Sequence, residues 1–237
     1  MTHVAYAFSQ IVCWLFFRCR FGLEISGQAH VPKTGGVIVA CNHVSFLDPP
    51  VLGAACPRPL RFMARADLFH GALGAYMRAV GVLPLKRGEA DPSAVRAAVA
   101  ILRGGGAVAI FPEGGRQLSG KLGRAKRGVG LLAQLGRVPV VPALIQGTCE
   151  ALPPDATRLQ RAKIRVAFAP SIPYTYTPVV ARVPSAAPRT AGTVEGPLAR
   201  LRHEQLADAV THAWRQLALH VQAGAAPACT SPISNDA

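Results

Sequence analysis

The sequence predicts a single α/β domain, with a largely parallel or mixed sheet flanked by helices and an apolar helix at its N-terminus. Three observations predict it. Short β-branched runs bounded by glycine alternate with stretches of helical periodicity. Residues that carry chemistry follow two of those runs directly, where an α/β sheet presents its loops. An apolar segment precedes the first strong strand candidate.

That segment, residues 4–17 (VAYAFSQIVCWLFF), is an apolar stretch of 14 residues. As a helix it reaches about 21 Å, against about 30 Å for a hydrocarbon core. It is expected to lie on or dip into a membrane, and the competing reading is an ordinary core helix. Arg18 and Arg20 follow the run instead of preceding it, which is not the order of a secretory signal. The same polarity retains the downstream domain on the cytoplasmic side. The expected location is the cytoplasmic face of the cell membrane, peripheral or monotopic, with residues 1–24 as the membrane-associating helix.

Residues 37–41 (VIVAC) after Gly35 and Gly36 read as a buried strand. A second short strand is expected at 61–64, mixed helical periodicity at 67–80 closed by Gly81, and a strand at 82–85. Asp91 followed by Pro92 reads as an N-cap with proline at the first helical position. That helix runs through Val95, Val99 and Leu102 to the glycines at 104–106. A buried strand at 107–111, a helix at 127–135 ended by Gly136, and a strand at 138–145 that tolerates two prolines follow. Residues 163–168 alternate and read as an edge strand.

These elements bound a catalytic domain at 25–176. Residues 177–197 are rich in Pro, Ala and Thr and read as a linker, residues 198–222 have helical spacing and are expected to pack back on the domain, and 223–237 read as a disordered tail.

The 26 Lys and Arg against 12 Asp and Glu give a formal charge of +14, which selects anionic partners. Aromatic residues are few and are not interleaved with the basic ones, so a base-stacking surface, and with it nucleic acid, is disfavoured. Anionic lipid and phosphate-bearing substrates remain. The six cysteines are scattered, without zinc-site spacing or the density of a disulfide scaffold. No metal is expected.

Residues 42–48 read NHVSFLD and place His43 five residues before Asp48, just past a buried strand. In a tight turn the carboxylate of Asp48 can hold one ring nitrogen of His43, leaving the other to act as a base. An imidazole ordinarily titrates at about pH 6.5, suited to taking a proton from an attacking alcohol. Residues 111–116 read FPEGGR and follow the next buried strand. Glycines there allow close backbone approach to a ligand, and a guanidinium can clamp phosphate with paired hydrogen bonds. Cys41 beside His43 leaves a cysteine nucleophile as the rival reading. An apolar strand end, where neighbouring side chains point to opposite faces, speaks against it.

NHVSFLD, GVLPLKRG (81–88), FPEGGRQ (111–117) and VPVVPALIQG (138–147) stand in the order of the glycerophospholipid acyltransferase motifs. Over roughly residues 25–170 the chain resembles the 1-acylglycerol-3-phosphate acyltransferase family. The resemblance implies that His43 is the general base and Asp48 its partner, with Asn42 at the position that precedes the His. It implies that Arg87, Glu113, Gly114, Gly115 and Arg116 bind the phosphate-bearing acceptor, and that Pro139 and Pro142 shape the acyl-donor side.

Lys126 and Gly128 also resemble a family segment. The chain departs from the family's usual pattern at Gly115, where Thr is common, and at Arg65, where Lys is frequent. The loss of a hydroxyl at 115 opens the identity of the acceptor to related lysolipids. The activity implied is transfer of a fatty acyl group from acyl-CoA or acyl carrier protein, as thioester co-substrate and without a cofactor, to the sn-2 hydroxyl of a lysophosphatidic acid at a membrane.

Overall fold

In the computed structural model, residues 2–85, 92–117, 119–154, 156–175 and 197–223 are described. Arg87 and Asp91, the linker expected at 177–197 save its last residue, and the tail from 224 lie outside them.

The N-terminal helix α1 (Thr2–Phe21) leads into a short strand β1 (Glu24–Ser26) and then β2 (Val37–Cys41). Helix α2 (Asp48–Ala55) is followed by β3 (Leu60–Arg61), β4 (Met63–Arg65), α3 (Gly71–Ala79) and β5 (Leu83–Leu85). The rest comprises α4 (Pro92–Arg103), β6 (Ala107–Ile110), α5 (Gly128–Gly136), β7 (Val140–Gln146), α6 (Thr148–Ala151), β8 (Arg165–Phe168) and α7 (Pro197–Gln222). Six strands form one mixed sheet in the order β1-β8-β7-β2-β6-β3, and β4 and β5 pair in a separate two-stranded sheet. β2, β3, β6 and β7 run parallel, while β8 pairs antiparallel to β7.

Alternation along β2 divides the core. Val37, Val39 and Cys41 pack with Phe17, Phe21, Val51 and Leu52 under α1 and α2. Ile38 and Ala40 pack with Ala98, Leu132, Val210 and Trp214 under α4, α5 and α7. The sheet is therefore covered on both faces, which is why its central strands read as continuous apolar runs.

Several expectations change. Residues 163–168 do not make an edge strand: β8 pairs with β7 on one side and with β1 on the other. β1, three residues with no apolar alternation, carried no periodic signal. The strand expected at 61–64 is divided between two sheets. Gly136 is the last residue of α5, and Arg137, at φ 55°, supplies the left-handed cap. The buried stripe of α4 is Ala94, Ala98 and Leu102, with Val95 and Val99 at its flank.

Helix α1 has one buried side and one exposed apolar side. It buries Tyr6, Phe17 and Phe21 against the domain, where the Tyr6 hydroxyl accepts from Leu60 N–H at 3.0 Å. Its other side exposes Val4, Phe8, Ile11 and Leu15. No described helix is long and apolar enough to cross a membrane. α7 packs back as expected, burying Leu206, Val210, Trp214 and Leu217, although Leu201 stays exposed.

Candidate functional site

β2 lies between β6 and β7 and runs parallel to both, so the loops leaving their C-terminal ends meet at one edge of the sheet. Ligand sites of open α/β sheets form at such edges. NHVSFLD leaves β2 and FPEGGR leaves β6, so the fold itself brings together two motifs about 70 residues apart in the chain.

Asp48 is the first residue of α2 and is fully buried. Its Oδ2 accepts hydrogen bonds from the Nδ1 of His43 at 2.8 Å, from Val44 N–H at 2.7 Å and from Ser45 N–H at 2.8 Å. Because the carboxylate only accepts, the ring proton sits on Nδ1 and Nε2 is the nitrogen left to act as base. Two prolines follow at 49 and 50, where a first helical turn needs no N–H partners. Asn42 staples the neighbouring strand: its Oδ1 accepts from Ile145 N–H at 2.7 Å, and its Nδ2 donates to Ile145 C=O at 3.0 Å.

The ring of His43 stacks on Phe111 with centroids 4.3 Å apart. Glu113, two residues on, turns inward. Its Oε2 accepts from His43 N–H at 2.9 Å and its Oε1 from Gly123 N–H at 2.8 Å. Burial pushes its carboxyl above the ordinary range, and the two N–H donors pull the other way. Glu113 thus braces the backbone of the dyad, a placement its motif position did not foretell.

Arg116 is half-buried, its guanidinium 3.6 Å over the ring of Phe46. Gly114 adopts φ 77°, and a Cβ there would stand 2.5 Å from Lys126 Nζ, so the loop is tight against that lysine. A Cβ at Gly115 would meet nothing within 4 Å; no contact there demands glycine. Arg65 is exposed and paired with Asp67. Gly128 opens α5 on the surface. Pro139 immediately precedes β7 and Pro142 lies within it; their carbonyls accept from Ile38 N–H at 3.0 Å and Ala169 N–H at 2.9 Å. Cys41 is fully buried on the α1 and α2 side of the sheet, and burial followed by the Asp48 and Glu113 charges pushes its thiol well up.

A cavity of about 400 Å³ adjoins the dyad through Phe111 and Phe46. Cys13 of α1, Ala54 of α2, and Leu73 and Met77 of α3 are among its apolar walls. Phe46, Leu68, Leu73 and Tyr76 are also exposed around it. Nothing in the spacing of these residues, spread from α1 to β6, announced a shared cavity.

A family model described as Acyltransferase matches residues 22–146. The 1-acyl-sn-glycerol-3-phosphate acyltransferase of Bacillus subtilis (strain 168) is 31% identical over 130 residues, 54% of this chain and 64% of that protein. The alpha form from Homo sapiens is 28% identical over 155 residues, 64% of this chain and 55% of that protein. The chain thus spans less than two thirds of either relative. In fold it is similar to the crystal structure of the 1-acyl-sn-glycerophosphate (LPA) acyltransferase PlsC from Thermotoga maritima. That likeness has a TM-score of 0.60 at 22% identity and covers 89% of this chain and 78% of the other. With both motif loops of the site inside the matched segment, the chain belongs to the acyltransferase family.

Proposed function

We propose that the chain transfers a fatty acyl group from the thioester of acyl-CoA or acyl carrier protein to the sn-2 hydroxyl of 1-acylglycerol-3-phosphate, giving phosphatidic acid. The observation that carries this reading is the His43 ring, held at Nδ1 by a buried carboxylate and free at Nε2 to take a proton. The relatives' names agree with it.

In this reading Nε2 accepts the hydroxyl proton as the oxygen attacks the thioester carbonyl. The tetrahedral intermediate then expels the thiolate, which recovers the proton from the imidazolium. The reaction passes through no acyl-enzyme and needs no metal or cofactor besides the thioester. Asp48 stabilises the transient cation. Arg116, with Arg87, Lys126 and the backbone at Gly114 and Gly115, holds the acceptor phosphate, and Glu113 keeps the His43 backbone in place.

The apolar cavity beside Phe111 takes an alkyl chain. The exposed apolar crest of α1, with Phe46, Leu68 and Leu73 near the cavity, rests on the cytoplasmic face of the cell membrane, and the +14 charge favours anionic headgroups. A second acceptor, another lysophospholipid or a lyso-ornithine lipid, is favoured by one observation: the Thr hydroxyl common in the family at 115 is replaced by glycine with space around it.

The test is purified protein with labelled acyl-CoA or acyl carrier protein, a panel of lysolipids and product identification by mass spectrometry. Phosphatidic acid is the expected product, and folded His43→Ala is expected to lose about 10² to 10⁴-fold in turnover. A folded His43→Ala protein acylating lysolipids at the wild-type rate would end the assignment.

A further inference from the structure

We propose that Thr148 is a positioning residue for the reaction: its hydroxyl fixes the plane of the Asp48 carboxylate, which in turn aims the His43 ring. This rests on the reading of His43 as general base. Thr148 lies 100 residues from Asp48 in the chain, at the start of α6 just past β7, and both side chains are fully buried.

The argument follows from how the four donors divide between the two carboxylate oxygens. Three converge on Oδ2, from His43, Val44 and Ser45. They anchor one oxygen but leave rotation about the terminal bond, a broad torsion in aspartate, weakly determined. Thr148 Oγ1 donates to Oδ1 at 2.6 Å, within the range of a charge-assisted O–H···O⁻ bond. Two anchored oxygens define a plane where one does not. A donor prefers to approach a carboxyl oxygen near that plane, so its orientation governs the direction of the bond to His43 Nδ1.

The hydroxyl is itself held rigidly. Gly147 turns the chain at φ 87°, and a Cβ there would fall 2.0 Å from Lys163 C=O, so the backbone before Thr148 admits only glycine. Threonine's branched side chain is stiff at χ1, and the residue is fully buried. The strand-end motif VPVVPALIQG therefore delivers, one residue after its last glycine, a group that acts on the dyad.

Thr148→Val keeps the shape and deletes the donor. We expect kcat to fall about 10- to 100-fold, as for an orphaned buried acceptor, with the KM of lysolipid and of thioester unchanged within about twofold. Thr148→Ser should return most of the lost kcat. On an Asp48→Asn background the Val change should add little, since groups acting as a unit are not additive.

Wild-type kcat in Thr148→Val, a parallel rise in both KM values, or full additivity with Asp48→Asn would each overturn the proposal. Should neither Thr148→Val nor Thr148→Ala fold, the hydroxyl serves the fold and the proposal is equally overturned. An inactive His43→Ala beside a fully active Thr148→Val would sink this inference alone, whereas an active His43→Ala would sink the reading beneath it too.

Discussion

The inner and outer sides of the site loops are built on opposite principles. On the inner side Asp48 and Glu113, 0% and 4% exposed, each accept backbone N–H groups: Asp48 closes the loop after β2 on itself, and Glu113 ties that loop to the one after β6. On the outer side Arg116 lies on Phe46, which is 61% exposed, and the apolar crest of α1 stands free. Buried charges survive only when their lone pairs are matched, so the inner side is rigid by necessity. The outer side has no such demand and stays open to solvent. The difference teaches that two carboxylates from motif positions of equal chemical appeal take roles decided by which way the backbone turns them.

Three perturbations separate the two sides. The largest effect is expected from Phe8→Asp combined with Leu15→Asp on α1. Each apolar side chain withdrawn from a lipid interface is worth about 1.5–3 kcal/mol, so vesicle partition should fall about a hundredfold or more while activity on detergent-dispersed lysolipid persists. Unchanged sedimentation with anionic vesicles would move the lipid contact elsewhere, to the surface around Leu68 and Leu73.

Next, Arg116→Ala removes a cation assigned to the acceptor phosphate. A charged hydrogen bond contributes about 1.5–3 kcal/mol, so the acceptor KM should rise about 10- to 100-fold with the thioester KM steady. Equal rises in both would take Arg116 out of the phosphate site.

The smallest effect belongs to Glu113→Gln. The amide keeps one acceptor for two N–H donors, so denaturant unfolding should show a loss of about 1 kcal/mol or more in acid. The carboxyl's folded value is raised above its ordinary 4.5, chiefly by burial. Its favourable contribution is therefore complete below pH 4.5 and declines as pH rises through the raised value. The gap between wild type and variant should narrow across that window. A gap that widened with pH would mean that the two N–H donors, not burial, control the carboxylate.

Much of the fold was legible because its signals are local. VIVAC at 37–41 and AVAI at 107–110 are unbroken apolar runs, as strands covered on both faces must be, and Pro92 opens α4 as expected. β1 was illegible because it is three residues long and draws its stability from pairing with β8, 141 positions away at Glu24 and Arg165. The same pairing removes the edge that the alternation at 163–168 suggested.

His43 and Asp48 stood out because a turn of five residues puts the two side chains within reach of each other, and their 2.8 Å contact is local. Arg116, by contrast, meets Phe46 only because the loops after β2 and β6 lie side by side.

Sequence alone therefore determined the unbroken apolar strand runs, the dyad and the two chemistry-bearing loops, because each depends on residues within a few positions of one another. Only the tertiary structure decided that Glu113 braces the backbone of His43, that Thr148 reaches Asp48, and that residues from α1 to β6 enclose one apolar cavity. Those contacts form when parallel strands align their ends. Strand order, which no local pattern encodes, selects which distant side chains meet.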